Sequence, residues 1–157
     1  MPDDDALALR IGELIGAGSL ACAESCTAGL VAQALARVTG SLEWFRGGVI
    51  AYQRGVKYGV LGLSPGPVVT AEAAEQMARG VAELLDADVA VSTTGAAGPD
   101  PLDGVEPGTV FVGVFVDGRS SARMHRFDGE PAEVCAHACA SALRDLAAAL
   151  ETRTDAC

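Results

Sequence analysis

Residues 21–38, ACAESCTAGLVAQALARV, change periodicity within one short stretch, from an unbroken apolar run to a 3.6-residue repeat. The reading is a buried strand over 19–24 and a helix over 27–38. The helix carries Val31, Ala34, Leu35 and Val38 on one stripe, with Gly40 as its C-terminal cap. A strand that passes straight into a helix points to layers of helix against sheet. Between the two lies a polar hinge, Glu24, Ser25, Cys26 and Thr27, whose purpose the rest of the chain must explain.

The same alternation recurs along the sequence. Asp4–Ile15 predicts an amphipathic helix with Leu7, Ile11, Leu14 and Ile15 on one face and glycines at 16 and 18 to stop it. GGVIAYQ, residues 47–53, predicts a strand, followed by a short turn or helix that carries Lys57. Thr70 caps a helix with Ala74, Met77, Ala78, Val81, Leu84 and Leu85 turned inward. DVAVSTTG and GTVFVGVFV are further strands, and Asp117-Gly118 marks a hairpin turn into SSARMHRF. A last helix starts near Pro131 and runs to about Leu150, with the remaining residues frayed. The expected fold is a single three-layer α/β/α domain over residues 1–157, its core spanning about 4–150. The sheet is mixed, including a C-terminal antiparallel hairpin, with helices on both faces.

Charge narrows the partners. Eleven Lys and Arg against 21 Asp and Glu leave a net charge of −10, which argues against a nucleic-acid partner and requires any anionic ligand to be caught locally. The apolar runs are too short for a membrane span and the N-terminus has no secretory pattern, so no membrane partner and a cytoplasmic location are expected. Five cysteines read as reduced thiols. Cys22 and Cys26, and Cys135 and Cys139, are each four apart, and neither pair has the usual zinc spacing, so they read as structural cysteines; no cofactor is expected.

In open sheets of this kind, ligands gather beyond the C-terminal ends of parallel strands, where Ser25, Gln53 and Gly95 fall. Ser25 becomes a nucleophile if a base takes its proton. Lys57 is the candidate base, and a helix beginning near Cys26 or Thr27 would aim free N–H groups at the same turn. The bland alternative makes Ser25 a helix cap and Lys57 a solvated charge. Cys26 is a rival nucleophile, because a thiol at a helix N-terminus has a lowered pKa. The loop of residues 92–110 is rich in Gly, Pro, Asp and Thr. Its Gly95 and Gly98 allow a close backbone approach to a ligand, but it carries no dinucleotide or Walker fingerprint.

Taken in order, Glu24-Ser25-Cys26-Thr27-x-Gly29, Ser41-x-x-Trp44-Phe45-x-x-Gly48, Tyr52 with Lys57 five residues on, Gly95-x-Ala97-Gly98-Pro99 and Pro107-Gly108-Thr109-Val110 resemble the C-terminal domain of the competence-damage-inducible protein A family, the nicotinamide-nucleotide amidohydrolases. The resemblance covers about residues 4–150. It implies metal-free hydrolysis of nicotinamide mononucleotide to nicotinic acid mononucleotide and ammonia, with Ser25 as nucleophile, Lys57 as its base and Tyr52 beside them. The loop Gly95, Ala96, Ala97 and Gly98 would lie against the nucleotide, with Cys26 and Thr27 of the matching motif, and the chain would form homo-oligomers; Arg54, which the family pattern does not supply, is a further candidate to meet the nucleotide. The sequence departs from that pattern at Gln53 and Arg54, between Tyr52 and Lys57. It departs again at Pro131 and Cys135, where the resemblance leads one to expect arginines, one of them near the substrate phosphate. Those departures keep two other readings open: a nucleotide-binding or assembly homologue impaired in catalysis, and an amidohydrolase for a different amide.

Overall fold

A computed structural model describes residues 2–155. In chain order the elements are α1 (Pro2–Ile15), β1 (Leu20–Glu24), α2 (Leu30–Ala36), a 3-10 turn (Ser41–Glu43), β2 (Phe45–Ile50), α3 (Arg54–Leu61), α4 (Ala71–Leu85), β3 (Val89–Gly95), β4 (Thr109–Val116), β5 (Arg119–Arg126) and α5 (Pro131–Asp155). The five strands form one sheet in the order β2-β1-β3-β4-β5. β1 pairs parallel with β2 and β3, and β4 pairs antiparallel with both β3 and β5. This is the mixed three-layer α/β domain that the strand and helix order predicts, with the hairpin turned at Asp117 (φ 54°) and Gly118 (φ 75°).

Burial follows position in the sheet. Every residue of β1 and β3 is buried, as expected of inner strands covered on both faces, while the edge strand β2 alternates. One face packs Ile11, Ile15, Val31, Leu35, Leu143 and Leu146 from α1, α2 and α5 into a core with Cys22, Val91 and Val112. The other face packs Met77, Ala78 and Val81 of α4 and Leu61 of α3 over Ala21, Ala23 and Ala90. Thr70 caps α4 as its sequence predicts, accepting the Ala73 N–H at 3.0 Å.

Several boundaries differ from the sequence reading. Leu84, placed inward by the pattern, is 50% exposed, because α4 stops one residue later at Leu85 and Asp86 turns left-handed. α5 continues beyond Leu150 to Asp155, where Arg153 donates to the Leu14 carbonyl at 2.9 Å and ties the last turns to α1. Residues 156–157 lie outside the described residues. The strand expected over 47–53 is Phe45–Ile50, and Gln53 is instead the N-cap residue of α3. α2 spans only Leu30–Ala36, and Gly40 precedes the 3-10 turn instead of closing the helix.

The topology positions a site. From β1 the chain moves to β2 on one side, then returns to β3 on the other. The loops after β1 and β3 therefore part at the C-terminal end of β1 and leave a crevice there.

Candidate active site

Ser25 is the first residue beyond β1, at that crevice. Its N–H donates to the Thr93 carbonyl at 3.0 Å, and its own carbonyl accepts from Ala28 at 3.0 Å. Ala28 (φ 47°) and Gly29 (φ 108°) are both left-handed, so residues 25–29 form a tight turn and the helix expected from residue 27 starts only at Leu30. A Cβ at Gly29 would sit 3.3 Å from Ile50 Cδ1, in a conformation that already disfavours side chains.

This overturns the expected source of positive field. The α2 N–H groups are not aimed at Ser25: those of Val31 and Ala32 donate to the two carboxylate oxygens of Glu24, each at 2.9 Å. Glu24 is 1% exposed and also accepts from Thr27 Oγ1 at 2.6 Å. With its proton on Glu24, Thr27 Oγ1 accepts from Thr93 Oγ1 at 2.7 Å. Thr27, expected against the substrate, is therefore 2% exposed and has its hydroxyl committed beneath the turn. Nor does Ser25 cap α2, whose N-cap residue is Gly29.

Lys57 is what reaches Ser25. On α3, Lys57 and Leu61 are one turn apart and both buried, which carries the lysine stem inward. Its side chain is no solvated charge: Lys57 is 2% exposed, and Nζ donates to Ser25 Oγ at 2.9 Å and to the Tyr52 carbonyl at 3.0 Å. Burial pushes its pKa below the ordinary 10.5, and the Arg54 charge pushes the same way, while a Cys26 thiolate would oppose them. That opposition is absent at neutral pH, because burial, with Cys135 nearby, pushes the Cys26 thiol up to about 12. The lowered thiol pKa expected at a helix N-terminus is thus reversed by desolvation. Tyr52 stands beside the pair through its carbonyl, while the residue itself is 67% exposed.

Two cavities meet at Ser25, and Tyr52 and Leu102 line both. One, of about 280 Å³, is walled by Cys26, Gly95, Ala96, Ala97 and Gly98. The other, of about 580 Å³, is walled by Arg54, Lys57, Val68 and Thr94. The glycine loop is held to β4 by Ala96 N–H to Thr109 O (3.0 Å) and Gly108 N–H to Ala96 O (2.7 Å). A Cβ on Gly95 would lie 2.7 Å from Val110 Cγ2, so only glycine fits where this loop leaves the sheet. Arg54, in the wall of the larger cavity, pairs with Asp103. Cys135 of α5 lies apart from Cys139, Ala142, Leu143, Leu146 and Leu150, which the same helix sends into the core. It is half-buried above the nucleophile turn, its thiol donating to the Cys26 carbonyl at 3.0 Å. Among the described residues no group of three or more His, Cys, Asp or Glu is placed to hold a metal ion, and no helix is long and apolar enough to cross a membrane.

Sequence reasoning gave no role to Glu24 or Asp103. A clue existed for Glu24, an acid shortly before a helix start. For Asp103 there was none, since its partners Arg54 and Val68 are 49 and 35 residues away.

A buried serine and lysine in hydrogen-bond contact at a strand-end crevice define the class: a three-layer α/β protein with a serine–lysine pair and no nucleotide-binding fingerprint. The chain belongs to the CinA C-terminal domain family, whose profile matches residues 6–150. It is similar to solved competence or damage-inducible proteins from Enterobacter asburiae (26% identical, TM-score 0.90, covering 94% of this chain and 98% of that one) and Agrobacterium tumefaciens (30%, TM-score 0.86, covering 95% and 96%). A provisionally named competence-damage inducible protein of Geobacillus kaustophilus is 46% identical over 114 residues, 69% of this chain and 27% of that protein. The chain thus matches about a quarter of the length of such relatives.

Proposed function

We propose that this chain is an amidohydrolase that cleaves the carboxamide of nicotinamide mononucleotide, giving nicotinic acid mononucleotide and ammonia. The observation that carries the chemistry is the 2.9 Å contact between Lys57 Nζ and Ser25 Oγ, made by a lysine 2% exposed. The ordered motif set supports the choice of substrate.

Neutral Lys57 keeps one N–H on the Tyr52 carbonyl and turns its lone pair to the Ser25 hydroxyl. Ser25 Oγ attacks the carboxamide carbon and its proton passes to Nζ. Cys26, Ala97 and Gly98 line the smaller cavity, and no backbone carbonyl among the described residues accepts from their N–H groups, which makes these the candidate donors to the oxyanion. Lys57 returns the proton to the leaving nitrogen as the C–N bond breaks, releasing ammonia and leaving a Ser25 ester. Water, deprotonated by Lys57, then cleaves the ester.

Ammonia release from nicotinamide mononucleotide tests this. Ser25→Ala, shown folded by circular dichroism, should lose at least about a thousandfold in turnover. Unchanged turnover in that variant would overturn the assignment. Binding without turnover by the unsubstituted protein would favour the nucleotide-binding homologue.

A further inference from the structure

Charge is sparse around the two cavities that share Ser25. Among the residues lining them the basic side chains are Lys57 and Arg54, and the acidic one is Asp100. Lys57 acts as a base only when neutral, so the standing positive charge of the cleft is the Arg54 guanidinium. The chain as a whole carries −10, which repels anions at long range, so an anionic substrate has to be held by this local charge.

Arg54 is held in place. Its NH2 donates to Asp103 Oδ1, and Oδ2 of the same carboxylate accepts the Val68 N–H at 2.9 Å. The Asp103 side chain is 9% exposed against 48% for Arg54, so the acid is the fixed member and the guanidinium the accessible one. Asp103 is also left-handed (φ 54°), a conformation that non-glycine residues adopt at a cost, and Leu102 before it lines both cavities. The pairing occupies one guanidinium nitrogen. Nε and NH1 have no hydrogen bond among the described residues, which leaves donors of a planar fork that suits an oxyanion.

We propose that Arg54 reads an anionic group, a phosphate monoester, at the end of the amide substrate remote from Ser25, and that Asp103 is the positioning residue that holds it ready. The inference rests on the amidohydrolase reading for its catalytic readout and deepens it by naming what selects the substrate. It assigns the anion to the larger cavity, beside α3 and Val68, at a distance in sequence from α5.

The test is the ratio of kcat/KM for nicotinamide mononucleotide to that for nicotinamide riboside, which differ only in the phosphate. Charge-assisted hydrogen bonds predict a ratio of about ten to a hundred in the unsubstituted protein. Arg54→Met should bring it close to one, and Arg54→Lys, which keeps the charge and loses the fork, should fall between. Asp103→Asn retains an acceptor for Val68 and should lower the ratio severalfold, through KM for the phosphorylated substrate. A merely structural role for Asp103 would move both substrates together. A ratio unchanged in Arg54→Met overturns the proposal. A ratio that rises in Asp103→Asn also does so, because Asp103 would then compete with the substrate for the guanidinium. The second measurement is calorimetric titration of the Ser25→Ala protein, with and without Arg54→Met, using both compounds. A phosphate preference that depends on Arg54, with no turnover in the unsubstituted protein, would refute the amidohydrolase and sustain the anion site. Equal binding of the two compounds would refute the anion site whatever turnover shows.

Discussion

Glu24 and Lys57 both adjoin Ser25 and are almost equally buried, 1% and 2% exposed, yet their surroundings differ. Glu24 accepts from Thr27 Oγ1, the N–H groups of Val31 and Ala32 and, at 3.9 Å, the Cys22 thiol, so its carboxylate has most of what water would give it. Lys57 has a hydroxyl and a carbonyl, neither of them charged. A buried charge met by donors serves to hold structure, whereas a buried ammonium met only by neutral oxygens gives up its proton more easily. The carboxylate builds the turn, and the amine works on what the turn presents. Burial alone would not have separated them.

Removing the amine should have the largest consequence. Lys57→Met is expected to reduce ammonia release about 10²–10⁴-fold, the usual worth of a positioned base, while the protein stays folded. Near-normal turnover would show that Lys57 is structural after all and erase the contrast with Glu24.

Glu24→Gln tests the other member. It replaces one acceptor oxygen with an N–H group that faces existing donors, and should lower unfolding free energy by about 2–4 kcal/mol in a urea titration. Stability equal to the unsubstituted protein would mean that the carboxylate does not cap α2.

A pH series sharpens the comparison further. Lys57 has a folded-state pKa below 10.5, so activity should rise with pH as the amine loses its proton. Stability follows by linkage: as pH falls from 10.5 toward the folded pKa, the unfolded chain binds a proton at Lys57 that the folded chain does not, which favours unfolding. Lys57→Met lacks this penalty, so its Tm relative to the unsubstituted protein should rise as pH falls from 10.5 toward the folded-state pKa. A difference that stays constant from pH 10.5 downward would place the lysine in contact with water.

The smallest effect is expected from Cys26→Ala. With its pKa pushed up to about 12, the thiol is protonated at neutral pH, and turnover should change by no more than about threefold. A loss as large as that of Ser25→Ala would make Cys26 the nucleophile.

Much of the fold was legible because apolar periodicity and turn residues act locally. The Asp117-Gly118 hairpin, the Thr70 cap and the start of α5 at Pro131 all lie where short-range chemistry puts them. The start of α2 was misjudged because the pattern around 27–30 suits a helix, while Ala28 and Gly29 adopt left-handed turns as the Ser25 and Thr93 backbones join β1 to β3. The candidate pair Ser25 and Lys57 was legible as two residue types following adjacent strands. That Thr27 is committed to Glu24 and Thr93 was not, since Thr93 is 66 residues away.

By itself, then, the sequence determined the kinds and order of elements and which polar residues stand at strand ends, since periodicity and residue type are local properties of the chain. Tertiary structure decided what those residues are chemically. The parallel pairing of β1 with β2 and β3 and the covering helices take Lys57 and Cys26 out of water, lowering the pKa of one and raising that of the other, and bring Asp103 to Arg54. Desolvation and ion pairing depend on neighbours far apart in sequence, and only the folded chain brings those neighbours together.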